Sequence, residues 1–164
     1  MGAGAPAAPD GNRLIDVILD ETSLGAASAE AAHEQEIAVH DLLAENAFGV
    51  PGVERGPYQL KLSLARERLV FEIADKDGAP VVAHLLSLTP FRPIVTEYQR
   101  ICESHYAAIR SASPSQIEAI DMGRRGLHND AAKLLRERLS GKIEMDFPTA
   151  RRLFTLIVAL PWEG

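Results

Sequence analysis

The chain has 164 residues, 46% of them apolar and 24% charged, with one cysteine and a net charge of −6. These values fit one globular domain, long enough to bury a core without disulfides or metals. They argue against a disulfide-built secreted scaffold and against generic affinity for nucleic acid. The longest apolar run, near Leu156–Pro161, is far short of the roughly 20 residues a membrane span needs, so no membrane partner is expected. Residues 1–11 (MGAGAPAAPDG) lack the basic start and apolar centre of a secretory leader, which makes the cytoplasm the expected location. Charge is unevenly placed: residues 1–88 hold 6 Lys/Arg against 14 Asp/Glu, and residues 89–164 hold 11 against 9. A site for an anionic ligand is therefore sought in the second half, although two differently solvated faces explain the asymmetry more simply.

Residues 1–12, rich in Gly, Ala and Pro, read as a flexible lead-in to a domain spanning 13–164. Arg13–Leu19 (RLIDVIL) is short, apolar and partly β-branched, which predicts a buried strand. Ser28 is placed to cap a helix running to about Asn46, with Glu30 in its first turn where the helix dipole favours an acid. Phe48–Gly56, with Pro51 and three glycines, reads as a loop.

Tyr58, Leu60, Leu62 and Leu64 alternate with polar residues, and Leu69, Phe71 and Ile73 repeat the pattern, which is the signature of half-buried strands. Asp75–Gly78 forms a turn with glycine at a left-handed position. Pro80–Leu88 then completes a three-stranded antiparallel meander, which the first strand can extend to four. Thr89 is expected to cap a second helix, with Pro90 at its first position and a stripe of Ile94, Tyr98, Ile101, His105 and Ile109. Ser113 starts a third helix, with Gln116 completing a capping box, and Ser140-Gly141 ends it after Leu139. Gly123 and Gly126 make a break restarting at Asn129 an alternative. Asp146 caps a fourth helix along Ala150, Phe154, Ile157 and Leu160. The fold class is α+β, a three- to four-stranded antiparallel meander covered by about four helices concentrated in the C-terminal half.

EIAVHDLLAEN, GPYQLKLSLARERLVFEI, HLLSLTPFRPIVTEYQRICESHYAAIRSASPSQIEAIDMGRRGLHND and GKIEMDFPTARRLFTLIVALPW together carry a resemblance. The chain resembles a family of short proteins found chiefly in alphaproteobacteria and known only as an uncharacterised protein family. The resemblance implies a bacterial cytoplasmic protein and supplies no activity, cofactor or catalytic residue.

Two polar segments are candidates for chemistry. In Ser87-Leu88-Thr89-Pro90-Phe91-Arg92 a strand ends and a helix begins, so two hydroxyls and a guanidinium meet backbone N–H groups suited to a phosphate or carboxylate. The structural alternative is that Thr89 simply caps the helix and Arg92 pairs with a protein acid. In Asp121–Asp130, a continuous helix sets Asp121, Arg125 and His128 on one face. Arg124 and Arg125 would then clamp an anion, with His128 as acid or base. Here the alternative is an Asp121–Arg125 surface pair. No glycine-rich phosphate loop accompanies either segment, and no cofactor is indicated.

Cys102 and His105 are three residues apart, which permits a nucleophile–base contact but does not aim it. His33 and His40 would sit about 10 Å apart along a helix, too far to share a metal, and His84 has no visible partner. The last helix is apolar around much of its circumference, so it is buried either in the core or against a second chain, where Trp162 could anchor a contact. Two functions follow: a non-catalytic interaction or regulatory protein that self-associates through its helices as a homo-oligomer, or a binder of, or an enzyme acting on, a small phosphorylated or carboxylated ligand. Whether Arg92 and the Arg124/Arg125 pair share a cleft separates them.

Overall fold

The computed structural model describes residues 11–25 and 28–160. Residues 1–10 of the expected lead-in, and Trp162, lie outside the described residues. In chain order the elements are β1 (Leu14–Leu19), a single helical turn α1 (Glu21–Leu24), α2 (Ala29–Ala44), a short β2 (Phe48–Gly49), β3 (Tyr58–Ala65), β4 (Arg68–Asp75) and β5 (Pro80–Ser87). A 3-10 turn (Thr89–Phe91) leads to α3 (Arg92–Ser111), α4 (Pro114–Leu139), a short β6 (Glu144–Met145) and α5 (Phe147–Val158). The fold is α+β, with its helices mostly in the C-terminal half.

The sheet runs β1-β3-β4-β5. The antiparallel meander sets Leu60 opposite Ile73 and Leu62 opposite Phe71, with Phe71 in turn opposite His84. That register sends Tyr58, Leu60, Leu62, Leu69, Phe71, Ile73 and Leu86 into the core, while Lys61, Glu72 and Ala83 face outward. β1 joins parallel to β3, with Val17 opposite Leu60, so the sheet is mixed where sequence alternation suggested a uniformly antiparallel one. Parallel neighbours need a long crossover, and α1, α2 and the segment after them supply it. β2 pairs with β6, Phe48 opposite Met145, which ties the end of α2 to the start of α5.

Local chemistry sets most helix starts where expected. The Ser28 hydroxyl accepts from Ala31 N, the Asp146 carboxylate accepts from Thr149 N, and Ser113 with Gln116 forms the full capping box. Gly78 takes a φ of 86° in the Asp75 turn. Thr89 departs from expectation. Its side chain caps nothing; it opens the 3-10 turn, and α3 begins only at Arg92 without a side-chain cap. Pro90 and Pro93, three positions apart, delay the regular helix, since neither supplies a backbone N–H. α4 is continuous through Gly123 and Gly126. A Cβ at Gly123 would stand 2.8 Å from Ile101 Cδ1, so this glycine lets α3 and α4 approach closely.

α5 lies at the centre of the helical layer, packed on α2 and α4, with Ala150, Leu153, Phe154, Leu156 and Ile157 buried. Its apolar circumference is core, which settles the alternative left open by its pattern. The α3–α4 hairpin behaves differently. No residue between Tyr98 and Ala131 belongs to the core cluster. The outer half of the hairpin is therefore an arm whose two helices rest mainly on each other.

Candidate functional site

Along the arm, a polar seam runs between α3 and α4. Asp121, about two turns into α4, accepts from Arg124 Nε at 3.2 Å and from an Arg125 guanidinium nitrogen at 2.7 Å. His105 Nε2 stands 3.8 Å from the same carboxylate. The Arg124 hydrogen bond, joined by the Arg125 charge, holds the Asp121 carboxyl below its ordinary range. The same bond raises the pKa of Arg124. Both arginines that sequence spacing offered to an anion are thus engaged by Asp121.

His128, further along α4, sits where α3, α4 and α5 meet. Its ring lies 5.6 Å from Tyr98 and 5.7 Å from Phe154, and those two rings meet edge-on at 5.7 Å. His128 Nε2 is 2.7 Å from the Arg151 carbonyl and 3.2 Å from Thr155 Oγ1. An Arg151 guanidinium nitrogen is 3.4 Å from His128 Nδ1. A guanidinium can only donate, so this network assigns the ring proton to Nε2, which donates to the carbonyl. Burial first, then the charges of Arg151 and Arg124, push the His128 pKa down. Both ring nitrogens are taken, and the neutral imidazole locks α4 to α5.

This burial gives a pH dependence with a definite sign. The unfolded histidine binds a proton near pH 6.5 and the folded one only below it, so stability is fully present above pH 6.5 and is lost as pH falls from there toward the lowered folded value. His84, also lowered by burial, adds to the fall. Urea midpoints measured from pH 7.5 to 5 are expected to drop, and to drop less in His128→Gln, which keeps a donor for the Arg151 carbonyl. An equal drop in both proteins would refute the assignment.

Cys102 lies beside this cluster. Burial raises its pKa, and its side-chain partner is the Tyr98 hydroxyl, whose own pKa is pushed up to about 12, first by burial and then by the thiol. The thiol keeps its proton, and the nucleophile that matters in cysteine chemistry is the thiolate. His105 points its Nε2 toward Asp121 instead. Among the described residues no group of three or more His, Cys, Asp and Glu side chains could hold a metal ion, and no helix is long and apolar enough to cross a membrane.

Ser87, Thr89 and Arg92 lie at the opposite end of the hairpin. Gly123 packs on Ile101, nine residues along α3 from Arg92, a rise of about 14 Å. The two arginine groups do not share a cleft. Arg92 instead reaches Glu67 in the β3–β4 turn at 3.6 Å. Ser87 and Thr89 line a cleft of about 580 Å³ with Arg66, Glu67 and Arg68. Arg66 and Arg68 were not singled out from sequence, although arginines in a tight turn between two alternating strands were visible there. A second cleft of about 450 Å³, between Phe48, Arg136, Glu144 and Asp146, mixes both charge signs. A third, of about 390 Å³, is an apolar trough on the outer sheet face near Ile18, Val81 and Ala83.

Residues 11–163 match the model of an uncharacterised protein family, UPF0262. The chain belongs to that family. It is 58% identical over 153 residues to the UPF0262 protein of Methylobacterium radiotolerans, covering 93% of this chain and 95% of the relative. The Rhizobium etli UPF0262 protein is 57% identical over 152 residues, covering 93% and 96%. The Nitrobacter hamburgensis UPF0262 protein is 51% identical over 164 residues, the full length of both. These relatives are alphaproteobacterial, as the sequence resemblance implied. No solved structure matches the UPF0262 chain.

Proposed function

We propose that this UPF0262 protein is a non-catalytic interaction protein that self-associates through the exposed outer half of α3. The observation that carries this reading is a stripe at intervals of seven residues. Val95, Cys102 and Ile109 share one helix face, and along it exposure rises from 2% at Val95, through half-buried Cys102, to 57% at Ile109. The face is made for burial and outruns the core that should bury it. Tyr106, 67% exposed, stands beside it with the Arg110 guanidinium 5.2 Å above its ring. Tyrosine and arginine are the residues that most often anchor interfaces.

The charges around the stripe support a second copy of the same chain as the partner. Glu103 and Arg110 are also seven residues apart, on one edge of the face. If two α3 helices pack antiparallel about a two-fold axis near Tyr106, Glu103 of each copy meets Arg110 of the other, and the contact repeats by symmetry. Residues 96–127 hold four acids and four bases, so two arms meet without net repulsion even though the whole chain carries −6. The protonated Cys102 thiol and the fully engaged His128 ring support the non-catalytic side of the reading. Sedimentation velocity across a dilution series tests it. A dimer that dissociates on dilution is expected, and a monomer at every concentration would end the proposal.

A further inference from the structure

The cleft at the end of the sheet offers a chemistry that the dimer reading does not use. The β3–β4 connection is a two-residue turn, Arg66-Glu67, closed by the Ala65–Arg68 pair. The turn is pinned to the start of the helical half by a bond from Leu88 N to the Glu67 carbonyl, 3.0 Å long. Arg66 adopts a φ of 62°. An L residue resists that left-handed conformation, whereas glycine or asparagine takes it readily in such turns. An arginine at a position that suits glycine is a local conflict, and such conflicts concentrate where a side chain is used.

The charges around the cleft are unbalanced. Arg66 and Arg68 flank one carboxylate, Glu67, which pairs with Arg92 at 3.6 Å. Among the described residues Arg66 and Arg68 enter no ion pair. The cleft of about 580 Å³ is lined by Arg66, Glu67, Arg68, Ser87, Thr89 and the apolar Leu85. The local charge is therefore +2 on a chain whose total is −6. Guanidinium forks match phosphate oxygens two at a time. A phosphomonoester carries close to two negative charges near neutral pH, and the hydroxyls can donate to its remaining oxygen. Leu85 gives an apolar wall for whatever the phosphate is attached to.

We infer that this cleft binds the phosphate group of a small phosphomonoester, with Arg66 and Arg68 as the charge clamp and Ser87 and Thr89 as additional donors. The inference stands independently of self-association, because the cleft and the α3 arm are at opposite ends of the hairpin.

The test is an amide NMR titration of the full chain with inorganic phosphate. Ionic strength is held constant with chloride, and sulfate is titrated in parallel. Saturable shifts are expected at residues 66–68 and 87–89. Arg68→Ala and Arg66→Gly should each weaken the dissociation constant at least tenfold. Arg66→Gly supplies the decisive control, since removing the strained side chain should raise the thermal midpoint by about 2–4 °C while binding is lost. Shifts equal to those in chloride alone, or phosphate affinity unchanged in a stabilised Arg66→Gly, would overturn the inference. Binding of sulfate as tight as that of phosphate would overturn the phosphomonoester assignment in favour of a general anion site.

Discussion

Arg110→Glu is expected to weaken self-association by at least about thirtyfold, the equivalent of roughly 2 kcal/mol. The substitution removes the guanidinium over Tyr106 and, across the two-fold axis, sets Glu103 against a new carboxylate twice. The reversed pair, Glu103→Arg with Arg110→Glu, restores opposite charges at both contacts. It should recover affinity to within about threefold. Sedimentation equilibrium of the three proteins reads this directly. Both positions are exposed, so urea stability of the monomer should stay within about 0.5 kcal/mol in every variant. A reversed pair as weak as the single variant would show that Glu103 and Arg110 do not face each other.

Phe154→Ala is expected to be the most damaging substitution for folding, at about 3–5 kcal/mol. Phe154 is fully buried. It packs on Tyr98 from α3 and on His128 from α4, so truncation opens a cavity where three helices meet. A domain of ordinary stability holds about 5–15 kcal/mol in total, and the variant should be partly unfolded at 37 °C. Leucine at the same position should cost less than half as much. Urea denaturation followed by circular dichroism checks both. A loss below about 1 kcal/mol for alanine would mean that α5 does not carry the core.

Local signals read from the residues foretold most of the architecture. The alternation of Tyr58–Leu64 with Leu69–Ile73 set the meander and its inward face, and Ser28, Ser113 and Asp146 marked three helix starts through their own side-chain oxygens. What local reading missed depends on long-range pairing. Nothing in RLIDVIL says that it will lie parallel to β3, because that choice is made by the crossover between them. Thr89 looked like a cap because the residue type and the following proline fit, yet Pro90 and Pro93 together impose a 3-10 turn first. Ile109 was placed on a buried stripe by its spacing, and the spacing is right. It is exposed because α3 outlasts the core, which depends on how far the sheet and α5 extend beneath it.

The candidate residues fared similarly. Asp121, Arg125 and His128 do share a helix face, but the partners that engage them, Arg151 and Thr155 for His128 and Asp121 itself for both arginines, belong to packing that periodicity cannot see. Arg92 and Arg124/Arg125 are both basic and both near helix segments of the same hairpin, and only the antiparallel course of α3 and α4 reveals that they lie toward opposite ends. Arg66 and Arg68 gain meaning only when the turn that carries them is folded against Ser87 and Thr89.

The central claim, a two-fold contact centred on α3, is tested most directly by cross-linking at its axis. In a Cys102→Ser background, Tyr106→Cys places one thiol per chain beside the proposed axis, and Ile37→Cys places one on exposed α2. With a short bismaleimide at micromolar protein, the residue 106 variant should convert largely to covalent dimer, and the residue 37 variant should remain monomer. Cross-linking at residue 37 with none at residue 106 would contradict the account.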